Sequence, residues 1–160
     1  MAPPQKISVG PTVQVRRLFD ATPERLFDAW TESAQVAQWL FRAPGYKTEH
    51  LRFDGYAGGR FHVRNTSPAG DVYNRGGEFR EVRPFEKIAF TWGGTKTLAS
   101  GAIAQNTADA ETLVTVEFVP QGQQTEVVIT HYGLATEPLR DDHARGWNIC
   151  LDNLEGFLSA

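Results

Sequence analysis

From Tyr46 to Tyr132 apolar and polar residues alternate with a period of two, and beyond Tyr132 the period becomes that of a helix. No other feature constrains the fold as strongly. Six segments carry the alternation: YKTEHLRFD (46–54), GRFHVRN (59–65), GEFREV (77–82), EKIAFTW (86–92), TLVTVEFV (112–119) and TEVVITHY (125–132). Between them stand turn residues, namely Gly55, Gly58-Gly59, Pro68 with Gly70-Asp71, Pro84 and Gly122. Short connections between successive strands imply an antiparallel meander with one apolar face to cover. The closing stretch HARGWNICLDNLEGFL (143–158) is the only long amphipathic helix available to cover it. One connection, Gly93–Glu111, is rich in Gly, Ala and Thr and has no pattern, which predicts a mobile loop or a lid.

Ahead of the alternating region, Thr12–Phe19 reads as a first strand. Thr22, Pro23 and Glu24 then form a helix start: a capping hydroxyl, a proline suited to the first turn and an acid that favours it. Leu26, Phe27 and Trp30 follow at helical spacing, and Ser33–Leu40 predicts a second short helix capped by Ser33, ended by Pro44-Gly45. The order strand, two helices, six strands, long helix is that of an α+β domain with one helix laid on one sheet.

Alternation assigns the side chains to faces. Val114, Val116 and Phe118 share one, as do Val127, Ile129 and His131; Ile88, Phe90 and Trp92 form a third row, Phe61 and Val63 a fourth. At 3.6 residues per turn, His143, Trp147, Cys150, Leu151, Leu154, Phe157 and Leu158 cluster on one side of the last helix, with Arg145, Asn148, Asp152 and Glu155 on the other. His131 and His143 thus point between sheet and helix among tryptophans. A few polar groups among aromatic walls are typical of a small-ligand site, although each histidine alone is more simply a hydrogen-bonded core residue. Gly146 costs about 1 kcal/mol of helix stability relative to alanine. It makes room beside His143 and Trp147, for a close-packed strand or for a ligand.

The charge balance, sixteen Lys and Arg against nineteen Asp and Glu, opposes binding to nucleic acid phosphates or to an anionic membrane surface. No apolar run reaches signal-peptide or membrane-spanning length, and the single cysteine allows no internal disulfide and no metal-binding spacing. The expectation is a cytoplasmic protein with no cofactor and no metal. Residues 1–10 are expected as a flexible lead-in, and 11–160 as one domain.

The succession FDAWTESAQVAQWL, FDGYAGGRF, GGEFREVRPFEKIAFTW, TLVTVEFVP, THYGL and HARGWNICLDNLEGFL resembles the Hsp90-ATPase-activator-homologue (AHSA1) branch of the START-like (SRPBCC, Bet v 1-like) superfamily. The most specific elements are GW with CLDNL, preceded by His143, and the Trp30/Trp39 pair. The resemblance covers about Thr12 to Leu158. It implies a helix-grip fold: a curved antiparallel sheet wrapped around the long C-terminal helix, a cavity between them, and two short helices after the first strand. Superfamily relatives bind lipids, sterols, polyketides or hormones in that cavity, and a few catalyse reactions there.

Three functions follow as expectations. The first is binding of a small apolar or aromatic ligand by Trp39, Phe61, Phe90, Trp92, Val116, Phe118, His131, His143, Trp147 and Cys150. The second is an enzyme using His131 or His143 as acid or base, with Cys150 the one inward thiol. The third is a co-chaperone-like protein-interaction module directed at Hsp90. A homodimer would use Trp30 and Leu40, or the outer sheet face with Val128 and Tyr132.

Overall fold

A computed structural model describes residues 11–106 and 112–160. The lead-in expected over 1–10 and the last part of the expected loop, 107–111, lie outside the described residues.

Strand β1 (Thr12–Phe19) leads into helix α1 (Pro23–Thr31), where the Thr22 hydroxyl accepts from the Arg25 amide at 3.1 Å and Pro23 and Glu24 occupy the first turn. Helix α2 (Ser33–Trp39) follows after a single extended residue, Glu32. Glu32 ends one helix and caps the next, so the cap expected at Ser33 sits one residue earlier and has no side-chain cap bond. The chain then forms β2 (Lys47–Phe53), β3 (Arg60–Thr66), β4 (Val72–Arg83), β5 (Lys87–Thr97), β6 (Ile103–Asn106), β7 (Thr112–Gln121) and β8 (Gln124–Tyr132). All pairings are antiparallel, in the order β1-β8-β7-β5-β4-β3-β2, with β6 beside the outer half of β5. Helix α3 (Glu137–Ser159) closes the fold, capped by Thr136, whose hydroxyl accepts from the Leu139 amide at 3.2 Å.

The segment expected as a patternless lid is in part a strand. β4 begins at Val72 and β5 runs to Thr97, paired from Val72↔Thr97 to Gly76↔Gly93. Gly94, which read as loop, and Gly77, the first residue of the expected strand 77–82, are required by backbone proximity. A Cβ on Gly94 would lie 1.8 Å from the Asn74 carbonyl oxygen, and one on Gly77 1.8 Å from that of Thr91. A turn at 98–102, in which the Leu98 amide donates to the Ala102 carbonyl at 2.8 Å, returns the chain as β6.

The inner sheet face and the helices share one core. Phe61, Phe79, Ile88, Phe90, Val116, Phe118 and Ile129 meet Leu151 and Leu154 of α3 and Leu26, Trp30, Val36 and Trp39 of α1 and α2, all buried. Trp30 and Trp39 pack edge to face at 4.8 Å, and the Trp39 indole donates to the Ala29 carbonyl at 2.9 Å. The outward side of α3 is tied to β1 by Arg17, which donates to Asp152 at 2.6 Å and to Asn148 at 3.3 Å. Of the surfaces expected for a homodimer, Trp30, Leu40 and Val128 are 1%, 2% and 3% exposed and so offer no contact area; Tyr132 is 43% exposed. The outer sheet face near Val128 is crossed by long side chains such as Arg16, paired with Glu126 at 3.1 Å.

Candidate functional site

A recess of about 330 Å³ opens to solvent between α3 and the extended ends of β3, β4 and β5. Helix α3 contributes Asp142, His143, Gly146, Trp147, Ile149 and Cys150. The sheet contributes Val63, Asn65, Tyr73, Arg75 and Trp92, and the segment after α2 adds Phe41, Arg42, Ala43 and Tyr46. Register explains the sheet residues: Asn65 lies opposite Tyr73 and Val63 opposite Arg75, so the row of Phe61 and Val63 continues outward as polar side chains. Gly146 faces open space, since a Cβ there would meet nothing within 4 Å.

The inner wall is aromatic. Phe41 lies 5.0 Å from Trp92 and 5.9 Å from Trp147, and the two tryptophans are 5.5 Å apart. Phe41 takes a left-handed backbone (φ 64°), which costs a side-chain-bearing residue about 1–2 kcal/mol. Two asparagines hold the segment in place. Asn65 Nδ2 donates to the Phe41 carbonyl at 2.9 Å, and Asn153 Nδ2 donates to the carbonyls of Trp39 and Arg42 at 3.1 and 2.7 Å.

Behind this wall His131 is fully buried, and both of its ring nitrogens are engaged. The Trp147 indole, which can only donate, reaches His131 Nδ1 at 3.1 Å. Nδ1 is therefore the acceptor and Nε2 carries the proton, which it donates to Thr112 Oγ1 at 2.8 Å. Thr112 in turn donates to the Trp92 carbonyl at 2.9 Å. A second proton on the ring would point at the indole N–H. Burial, with His143 beside it, pushes the His131 pKa down to about 3. The ring is neutral at pH 7 and has no nitrogen free to serve as the expected acid or base.

His143 stands 4.9 Å from His131, ring perpendicular to ring. Its Nδ1 donates to the Leu139 carbonyl at 2.9 Å, which leaves Nε2 as the acceptor of the neutral ring. Burial and then Arg75 lower its pKa, while Leu139 and Asp142 oppose that shift. Cys150 is buried, and desolvation pushes its thiol up to about 12, so it stays protonated and packs as a small apolar group. Among the described residues no group of three or more His, Cys, Asp and Glu is placed to hold a metal ion. Asn65 Oδ1 is buried and has no hydrogen-bond partner among the described residues.

Of the ten residues expected at the site, Trp92, His143, Trp147 and Cys150 line the recess. The others lie in the core away from it: Trp39 beneath α1, Phe61 and Phe90 packed on each other at 5.4 Å, Val116 buried, Phe118 against Phe27 at 6.0 Å, and His131 behind Trp147. The periodicity that placed them inward was correct; it does not distinguish core from cavity wall. Unforeseen were Phe41, Tyr46, Asn65, Tyr73 and Arg75. Tyr73 and Arg75 continue the alternation of Phe79 across Gly77, a signal hidden by the paired glycines.

A family model described as Activator of Hsp90 ATPase homolog 1-like protein matches residues 20–159. Among solved structures, the chain resembles an AHSA1 protein from Silicibacter pomeroyi (TM-score 0.75, 22% identity, 92% of this chain and 97% of that one). It also resembles protein CV1439 from Chromobacterium violaceum (0.73, 22%, 91% and 95%) and Ms6760 from Mycobacterium smegmatis (0.75, 17%, 94% and 91%). At these identities the likeness concerns the fold. A search of curated proteins returns no match.

Proposed function

The chain belongs to the Activator of Hsp90 ATPase homolog 1-like family, and from that premise we propose that it binds a small, largely aromatic molecule in the recess between α3 and the sheet. The observation that carries this reading is the wall of Phe41, Trp92 and Trp147 in one recess with the side-chain-free surface of Gly146, which borders open space. Apolar burial there contributes about 25 cal/mol per Å², and rings flanked by other rings add edge or stacking contacts. The cost borne by the left-handed Phe41 supports the same reading, because strain is kept where a side chain must be presented. An Hsp90-directed role rests on the family description alone, and of His131, His143 and Cys150 the enzymatic alternative retains His143, whose ring lines the recess.

The test is a fluorescence titration with N-phenyl-1-naphthylamine, a neutral aromatic probe, on the wild-type chain and on Gly146→Leu. Leucine is a good helix former, so the variant folds while its side chain enters the recess. The expected result is probe binding weakened at least about tenfold in the variant, roughly the loss of 1.4 kcal/mol. Equal binding by both proteins would refute the assignment.

A further inference from the structure

We propose that the molecule held in the recess is an aromatic anion whose carboxylate or sulfonate docks on the guanidinium of Arg75. This rests on the reading of the recess as a binding site and adds the charge of what it binds.

Arg75 lies on the inner face of β4, opposite Val63 on one side and Gly94 on the other. It lines the recess and is only partly exposed. Its Nη1 donates to the carbonyls of Asn74 and Thr95 at 3.1 and 3.3 Å, and its guanidinium stands 5.5 Å from the centre of the Tyr73 ring. No carboxylate pairs with it among the described residues. Among the described residues the one acidic side chain lining the recess, Asp142, is engaged by Arg145.

Removing a guanidinium from water without an anion is unfavourable, and two carbonyls and a ring face compensate only in part. Burial accordingly lowers the Arg75 pKa. The donors at Nε and Nη2 remain for a planar, bidentate acceptor, the geometry of a carboxylate. The surroundings reinforce the preference. Arg42, whose Nε donates to the Ala37 carbonyl at 2.8 Å, also lines the recess, and the Lys96 ammonium lies over the Tyr73 ring at 5.2 Å, so further cations stand near Arg75 and along the lining. The apolar part of the lining is Trp92, Trp147, Phe41 and buried Cys150. A ligand that satisfies both kinds of lining has an aromatic body and one anionic group.

The test compares two probes with one shared body: N-phenyl-1-naphthylamine, and 8-anilinonaphthalene-1-sulfonate, which adds the sulfonate. Both are titrated into the wild-type chain, Arg75→Gln, Arg75→Lys and Gly146→Leu, each shown folded by circular dichroism. The expected result is tighter binding of the anion by the wild type. Arg75→Gln then weakens the anion about ten- to a hundredfold, the worth of a hydrogen-bonded charge pair, and leaves the neutral probe within about twofold. Arg75→Lys retains part of the preference. If Gly146→Leu blocks both probes but Arg75→Gln does not separate them, the anion assignment is overturned and the recess reading stands. If Gly146→Leu affects neither probe, or neither binds the wild type, both are overturned.

Discussion

His131 makes acid lability a quantitative prediction. In the unfolded chain its imidazole titrates near the ordinary 6.5, and in the folded protein near about 3. Between those values the unfolded state binds the extra proton, so stability rises with pH and is lost as pH falls from 6.5 toward 3. At pH 5, about 1.5 pH units below the unfolded value, the linkage costs about 2 kcal/mol relative to pH 7.5. His143 and His50, both also lowered, act in the same direction, and carboxylates add their own dependence. A difference measurement isolates His131. His131→Gln keeps one acceptor for the Trp147 indole and one donor for Thr112 but cannot titrate. Urea unfolding of both proteins at pH 7.5 and pH 5.0 should show the wild type losing about 2 kcal/mol more than the variant over that interval. His143, whose ring faces His131 at 4.9 Å with Arg75 and Asp142 beside it, remains in both proteins, so its own burial contributes to both losses. Equal losses would mean that His131 is not held neutral by the fold. Its imidazole would then be open to acid–base chemistry near neutral pH.

Other outcomes follow from the same geometry. Trp147→Phe removes the donor to His131 Nδ1 and should cost about 1–3 kcal/mol in denaturant unfolding, whereas an unchanged midpoint would contradict the hydrogen-bond chain. Gly146→Ala adds a methyl group into open space and should raise stability by about 1 kcal/mol through helix propensity, seen as a higher Tm; a fall would mean that the space is needed for packing. Cys150 should resist Ellman's reagent in the native protein at pH 8 and react only on unfolding, because its thiol is buried and protonated. Stoichiometric native labelling would disprove that.

Where burial covers whole elements, the fold was legible. Alternation over Val127, Ile129 and His131, and helical spacing over Trp147, Leu151 and Leu154, report directly which faces leave water, and all six are buried. The strand extension through Gly76, Gly93 and Gly94 was not legible, because a glycine selected for close backbone approach looks the same in sequence as one selected for a turn. Beyond Tyr132 the helical period was legible, but the cap at Thr136 that fixes the start of α3 at Glu137 was not, since Thr136 with Pro138 marks a helix start only once the chain direction after β8 is known.

The site divides along the same line. Its apolar half, Trp92 and Trp147, lies on segments whose pattern shows a buried face, so periodicity finds it. Its polar half, Asn65, Tyr73 and Arg75, lies on the same inner face of the same sheet, just beyond where α3 covers it. Polar residues at inward positions break the alternation that identifies strands, and they therefore read as the end of a strand rather than as the lining of a site. The mismatch is itself informative: an inward register position occupied by an arginine without an acidic partner is unfavourable in a core and favourable only where something else meets it. In a sheet with a single long helix as its cover, the rows to inspect are those that stay in register after their hydrophobicity stops. Here that row runs from Phe61 through Val63 to Asn65, and across to Arg75.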